Sequence, residues 1–138
     1  MATRYRTSAS NDDGGTRVSR VPGGLEVAVS NPLQPGHDAA ASNPEQLLAL
    51  AWATCLNATA QAIVAGERQT RVRAEVTLRD AEGRAGYEFV VTAFVSGEGL
   101  DEEQASGLAA AAHDRCPISR LLEASPLAEV RGETWSAA

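Results

Sequence analysis

Lysine is absent from the 138-residue chain, and all twelve basic residues are arginines. They fall as scattered singles, so no basic stripe is available to track a phosphate backbone. Eighteen acidic residues bring the formal net charge to -6, which repels nucleic acid and anionic lipid surfaces alike. Neither nucleic acid nor membrane insertion is therefore expected of it. No stretch approaches 18 consecutive apolar residues, and Met1 to Ser10 is polar where a secretion signal would carry an apolar core. The expected location is the cytoplasm.

Aromatic residues are scarce too: Tyr5, Trp52, Tyr87, Phe89, Phe94 and Trp135 are all there are. A core built mainly from Ala, Val and Leu buries little area per side chain, and sharing it with a second copy is the natural remedy. The chain has only two cysteines, Cys55 and Cys116. In a reducing compartment they are not expected to form a permanent staple, which leaves a pair of core residues or a redox pair. A closed zinc site needs four ligands at recognisable spacings, and two distant cysteines with two histidines do not supply it. No metal or other cofactor is expected.

What is present reads as one α+β domain spanning residues 1–138. Short strands are expected over Thr3 to Ser10, Thr16 to Val21 and Leu25 to Val29, the last two separated by Pro22-Gly23-Gly24, which suits a tight turn. A loop follows from Asn31 to Ser42. Asn43-Pro44-Glu45 then combines a cap residue, a proline at the first helical position and an acid in the first turn. The helix it opens runs to about Ala65, with Gly66 as its stop, and is apolar over most of its circumference, as a central helix would be. Thr70 to Arg79 alternates with Val72, Ala74, Val76 and Leu78 on one face. Gly86 to Ser96 returns with Tyr87, Phe89, Val91 and Val95 inward. A helix opened by Asp101 is interrupted at Cys116-Pro117 and continues briefly to Glu123, before a last strand from Leu127 to Trp135. The order is three strands, helix, two strands, helix, strand.

Cys55 sits mid-helix among Leu48, Ala51, Trp52, Ala58 and Thr59, either as a packed core cysteine or as a thiol left approachable by small neighbours. Cys116 stands at the cap of the helical piece that Pro117 begins, where free backbone N–H groups can stabilise a thiolate. His113, one turn earlier, is either a hydrogen-bonding residue near that cap or a catalytic partner. An apolar setting alone raises a thiol pKa, so a reactive Cys55 demands a cation beside it. With lysine absent, the candidates are Arg17 and Arg20, and Glu45 is the carboxylate to orient one of them. Ten residues of helix separate Glu45 from Cys55 by about 15 Å along the axis. A relay therefore requires a reaching arginine, a broken helix or a second subunit.

Two stretches carry a family likeness: Asn43-Pro44-Glu45-Gln46-Leu47 with Ala53-Thr54-Cys55, and His113-Asp114-Arg115-Cys116-Pro117-Ile118-Ser119. In this order and spacing they resemble the OsmC-like superfamily, specifically its organic hydroperoxide resistance branch. The resemblance implies an OsmC-like fold, an intertwined homodimer whose sheets wrap around central helices, and a cysteine-based reductase of alkyl or lipid hydroperoxides. It makes Cys55 the peroxidatic cysteine, Cys116 the resolving cysteine and Glu45 the acid that orients an active-site arginine. The reductant it implies is a lipoyl-bearing protein or another dithiol. Leu48 and Trp52 would line the substrate pocket. The family arginine follows a Gly-Gly pair directly. Here the run is Gly14-Gly15-Thr16-Arg17, and Arg17 is the choice by proximity to the pair; counting back from the turn at Gly23 places the matching position nearer Gly14, so either the loop is shifted by a residue or the arginine is replaced, with Arg20 as fallback. Leu56 and Ile118 stand where the family commonly has aromatics. The competing readings are an OsmC-type peroxidase with another substrate preference and a non-catalytic redox-sensing or binding member of the fold.

Overall fold

The computed structural model describes residues 1–12 and 18–136. In chain order the described elements are β1 (Ser10–Asn11), β2 (Val18–Arg20), β3 (Glu26–Ala28), α1 (Pro44–Ile63), β4 (Thr70–Asp80), β5 (Tyr87–Gly97), α2 (Glu102–Arg115), α3 (Pro117–Leu122) and β6 (Ala128–Gly132). The anticipated order holds, with the second helix divided at Cys116-Pro117. The chain divides into two compact units, Met1–Leu47 and Leu48–Ala138.

In the first unit, β1, β2 and β3 form an antiparallel meander, with Ser10 opposite Arg20 and Val18 opposite Ala28. Gly23 takes a φ of 71° in the β2–β3 turn, which the Val21 N–H closes on the Leu25 carbonyl at 2.8 Å. The strand expected over Thr3 to Ser10 shrinks to Ser10–Asn11. Residues 1–10 are all exposed, and a strand that buries no face and lacks a ladder partner has nothing to offset its ordering entropy. The 31–42 segment is a loop, organised by Asx turns in which Asn31 Oδ1 accepts from Leu33 N–H and Asp38 Oδ1 from Ala40 N–H. α1 opens as its sequence requires: Asn43 Oδ1 caps the Gln46 N–H at 2.9 Å, with Pro44 at the first helical position.

The second unit is a three-stranded mixed sheet, ordered β4-β5-β6, with helices on one face. β4 and β5 pair antiparallel along their whole length, from Thr70–Gly97 to Asp80–Tyr87. β6 runs parallel to β5, because α2 and α3 carry the chain back across the sheet. Val72, Ala74 and Val76 face the helices, as do Val91, Ala93 and Val95. Tyr87 does not point into this core. It is 61% exposed at the start of β5, opposite Asp80 and beyond the cover of the helices.

A capping box opens α2. Asp101 Oδ1 accepts from Gln104 N–H at 2.8 Å while Gln104 Oε1 accepts from Asp101 N–H at 3.1 Å. The helix packs through Ala105, Leu108, Ala109 and Ala112, and it lies so close to β6 that a Cβ on Gly132 would stand 2.2 Å from the Ser106 nitrogen. Only glycine fits there.

α1 buries Trp52, Leu56 and Ala60, but not its whole circumference. Leu50 is 65% exposed, and Ala51, Thr54, Ala58 and Ala62 share that outward side. The all-round apolar helix therefore has an uncovered face in the single chain.

Candidate active site

The site is built where α1 meets the α2–α3 junction. Proline disfavours helical backbone in the residue before it, and Cys116 accordingly has φ -70° and ψ 123° between two helices. The kink is anchored on both sides: the Cys116 N–H closes α2 on the Ala112 carbonyl at 2.9 Å, and the Cys116 carbonyl accepts the Arg120 N–H of α3 at 3.0 Å. The break in the helix thus fixes the Cys116 thiol against α1. Its Sγ lies 3.5 Å from Cys55 Sγ, and both thiols are free.

The two sulfurs are not equivalent. Cys116 is completely buried, whereas Cys55 keeps partial access to solvent. Burial pushes the Cys55 thiol above its ordinary value and the adjacent Cys116 raises it further, while the Ile118 backbone N–H, donating to the sulfur, pulls the other way. Among the described residues these are the groups that act on it, and no cation is one of them.

One turn before Cys55, the Trp52 indole N–H donates to Ser119 Oγ at 3.0 Å, and both residues are fully buried. Trp52 is fully buried with its one polar atom satisfied inside, and Leu48, the other residue expected at the pocket, packs half-buried at the edge of the same cluster. Sequence reasoning assigns no role to Ser119. The serine is visible as part of the Cys116-Pro117-Ile118-Ser119 run, but its partner lies 67 residues away. His113 makes no hydrogen bond to either sulfur. Its ring is half-buried, and its Nδ1 is buried without a partner among the described residues.

Glu45, in the first turn of α1, has a buried Oε2 with no donor among the described residues. An acceptor in that condition is costly, on the order of 1–3 kcal/mol, unless a donor reaches it. Arg17 and Gly14, the positions considered for the active-site arginine, lie outside the described residues. Arg20 is engaged on the surface of the first sheet by Asp12 and Glu26, each at 3.5 Å. α1 is continuous from Pro44 to Ile63, so a broken helix is not among the routes left to a relay. Among the described residues no group of three or more His, Cys, Asp or Glu side chains is placed to hold a metal ion, and no helix is long and apolar enough to cross a membrane.

Residues 36–131, a span that includes Glu45, Cys55 and Cys116, match the family described as OsmC-like protein. This chain belongs to the OsmC-like family. Among its relatives, the organic hydroperoxide resistance protein OhrA of Bacillus subtilis is 39% identical over 58% of this chain, a match that spans 59% of OhrA itself. An organic hydroperoxide resistance protein-like chain of Mycoplasma pneumoniae is 30% identical over 89% of this chain and 90% of its own length. The fold is shared with a solved protein from Lactobacillus casei at a TM-score of 0.85 and 33% identity, covering 99% of this chain and 96% of that one. The OsmC-like α+β architecture is thereby established. The span matched to the family holds two free cysteines whose sulfurs lie 3.5 Å apart.

Proposed function

We propose that this OsmC-like protein is a thiol-dependent peroxidase that reduces alkyl or lipid hydroperoxides to alcohols. The observation that carries the reading is the 3.5 Å separation of two free sulfurs, one partly accessible and one buried behind it. That asymmetry suits a division of labour. The Cys55 thiolate attacks the terminal peroxide oxygen, the O–O bond breaks, and the alkoxide leaves as the alcohol after taking a proton, with Cys55 as the sulfenic acid. Cys116 then attacks the Cys55 sulfur, water departs, and a Cys55–Cys116 disulfide remains. Two exchanges with an external dithiol, such as a lipoyl group on a carrier protein, return both thiols and oxidise the carrier.

For Cys55 to react at neutral pH its raised pKa must be countered by a cation. Arg17 is the residue proposed for that task, stabilising charge on the leaving oxygen, with Glu45 as its orienting partner. The partnerless Oε2 of Glu45 supports a role as acceptor for a guanidinium. The likeness to proteins named for organic hydroperoxide resistance favours an organic over an inorganic peroxide. The outward face of α1, with Leu50 at its centre, favours a homodimer in which a second copy covers it. The working location is the cytoplasm, whose thiol pools would keep the pair reduced between turnovers.

A second reading, a non-catalytic redox sensor or binding member, is favoured by the raised Cys55 thiol and would follow if no cation acts on it. Mixing the reduced protein with one equivalent of cumene hydroperoxide, in parallel with hydrogen peroxide, separates the two. Rapid loss of two thiols per chain with the organic substrate, abolished in Cys55→Ser, is the expected result. A rate no faster than that of a free thiol would favour the sensor, and equal rates on the two peroxides would remove the organic preference.

A further inference from the structure

Trp52 and Cys55 lie one turn apart on α1, and Cys116 and Ser119 are spaced by the same three residues at the start of α3. The two segments meet through two rungs. In one, Cys116 Sγ stands 3.5 Å from Cys55 Sγ; in the other, the Trp52 indole N–H donates to Ser119 Oγ at 3.0 Å. Trp52 and Ser119 have no exposed surface, so water cannot take the place of either partner. Among the described residues theirs is the only hydrogen bond that joins a side chain of α1 to a side chain of α3; the Ile118 backbone N–H adds a link to the Cys55 sulfur. α3 needs such a link. It has six residues, the side chain of its N-cap Cys116 makes no capping hydrogen bond, and Leu121 on its outer side is 84% exposed.

We propose that Ser119 is a positioning residue for disulfide formation: its buried hydrogen bond to Trp52 holds the Cys116 thiol in place against Cys55. The step it assists is the second of the cycle. Cys116 sulfur bonds to Cys55 sulfur, the Cys55 S–O bond breaks, and water leaves with the proton from Cys116. A disulfide is about 2.0 Å long, so Cys116 has under 2 Å to travel, and a brace one turn away keeps that approach aligned. The first step, attack on the peroxide by Cys55, forms no bond to Cys116, so loss of Ser119 should affect it much less than the second step. The place of this step in turnover rests on the proposed peroxidase reading, whereas the brace itself acts on any two-electron oxidation of the pair.

The test uses full-length Ser119→Ala, Ser119→Thr, Trp52→Phe and the double variant. The first measurement needs no peroxide. The thiol–disulfide equilibrium of the pair in a glutathione buffer reports how effectively one sulfur is presented to the other. Loss of the brace is expected to weaken the disulfide roughly tenfold, a rise in potential of about 30 mV. The second measurement traps the Cys55 sulfenic acid with a cyclic 1,3-dione during a single turnover with cumene hydroperoxide. Ser119→Ala should raise the trapped fraction severalfold while the rate of peroxide consumption stays within about twofold of the parent, because only resolution is slowed. Trp52→Phe should reproduce the weaker disulfide in the glutathione buffer, the double variant should be no worse there than either single one, and Ser119→Thr should restore the disulfide and the low trapped fraction. If Ser119→Ala fails to fold, Trp52→Phe, which retains an aromatic ring, carries the same comparison. A folded variant with an unchanged equilibrium and unchanged trapping overturns the proposal. So do single effects that simply add, or peroxide consumption and disulfide formation slowed by one common factor. Failure of the parent protein to consume peroxide would instead sink the peroxidase reading, leaving the glutathione measurement to judge the brace.

Discussion

Replacing Cys116 by serine should convert a reaction that consumes two thiols per peroxide into one that consumes a single thiol and stops. The size of the effect follows from the sulfur separation of 3.5 Å. One thiol confined to a sphere of that radius corresponds to a local concentration of about 10 M, treated as an intramolecular partner at short tether. An external monothiol at about 1 mM is then at a disadvantage of about 10⁴ in resolving the sulfenic acid, before any benefit from orientation. Partial burial of Cys55 widens the gap, because an outside thiol must approach from the one accessible side. Mass spectrometry of rapidly quenched samples provides the assay. The parent chain should show loss of two hydrogens with no persistent oxygen adduct. Cys116→Ser should show one added oxygen that is captured by a dione and decays only slowly with the external thiol. Rapid decay of that adduct at about 1 mM monothiol, or persistent oxygen on the parent chain, would refute the reasoning, since either result means Cys116 is not presented to Cys55 as the geometry indicates.

The pH dependence of Cys55 alkylation tests the proposed cation. With burial and Cys116 both raising the thiol pKa, thiolate and rate should increase with pH through a midpoint above that of free cysteine, about 8.5, in Arg17→Ala. The parent should show a lower midpoint, and coincident profiles would remove Arg17 from the site. Gly132→Ala places a Cβ 2.2 Å from the Ser106 nitrogen and should destabilise the chain by about 1–3 kcal/mol, measured as a lower urea midpoint. It should also slow disulfide formation, because the displaced helix is the one that ends at Cys116. An unchanged midpoint would mean that α2 can retreat from β6 without loss.

Elements with local causes are legible in the amino-acid sequence. Asn43 caps and Pro44 opens α1, Asp101 opens α2, Pro117 breaks the helix at Cys116, and the alternation of Val72, Ala74 and Val76 marks β4; each signal acts within a few residues of its own backbone. The strand expected at Thr3 to Ser10 and the inward Tyr87 fail for a related reason. Alternation or an aromatic side chain is only half of a strand signal, and the other half is a partner surface that residues 1–9 and the start of β5 do not meet.

The candidate site divides in the same way. From the chain of residues alone it follows that two cysteines exist, that one interrupts a helix and the other lies inside one, and that their surrounding motifs resemble those of a hydroperoxide-reducing family. Packing in three dimensions is what brings the sulfurs to 3.5 Å, seals Cys116 while leaving Cys55 accessible, makes Trp52 a buried donor to Ser119, and requires glycine at position 132. These facts depend on segments brought together from opposite ends of the second unit. Contacts between distant segments are set by how whole helices pack on a sheet, and neither periodicity nor capping chemistry encodes that distance.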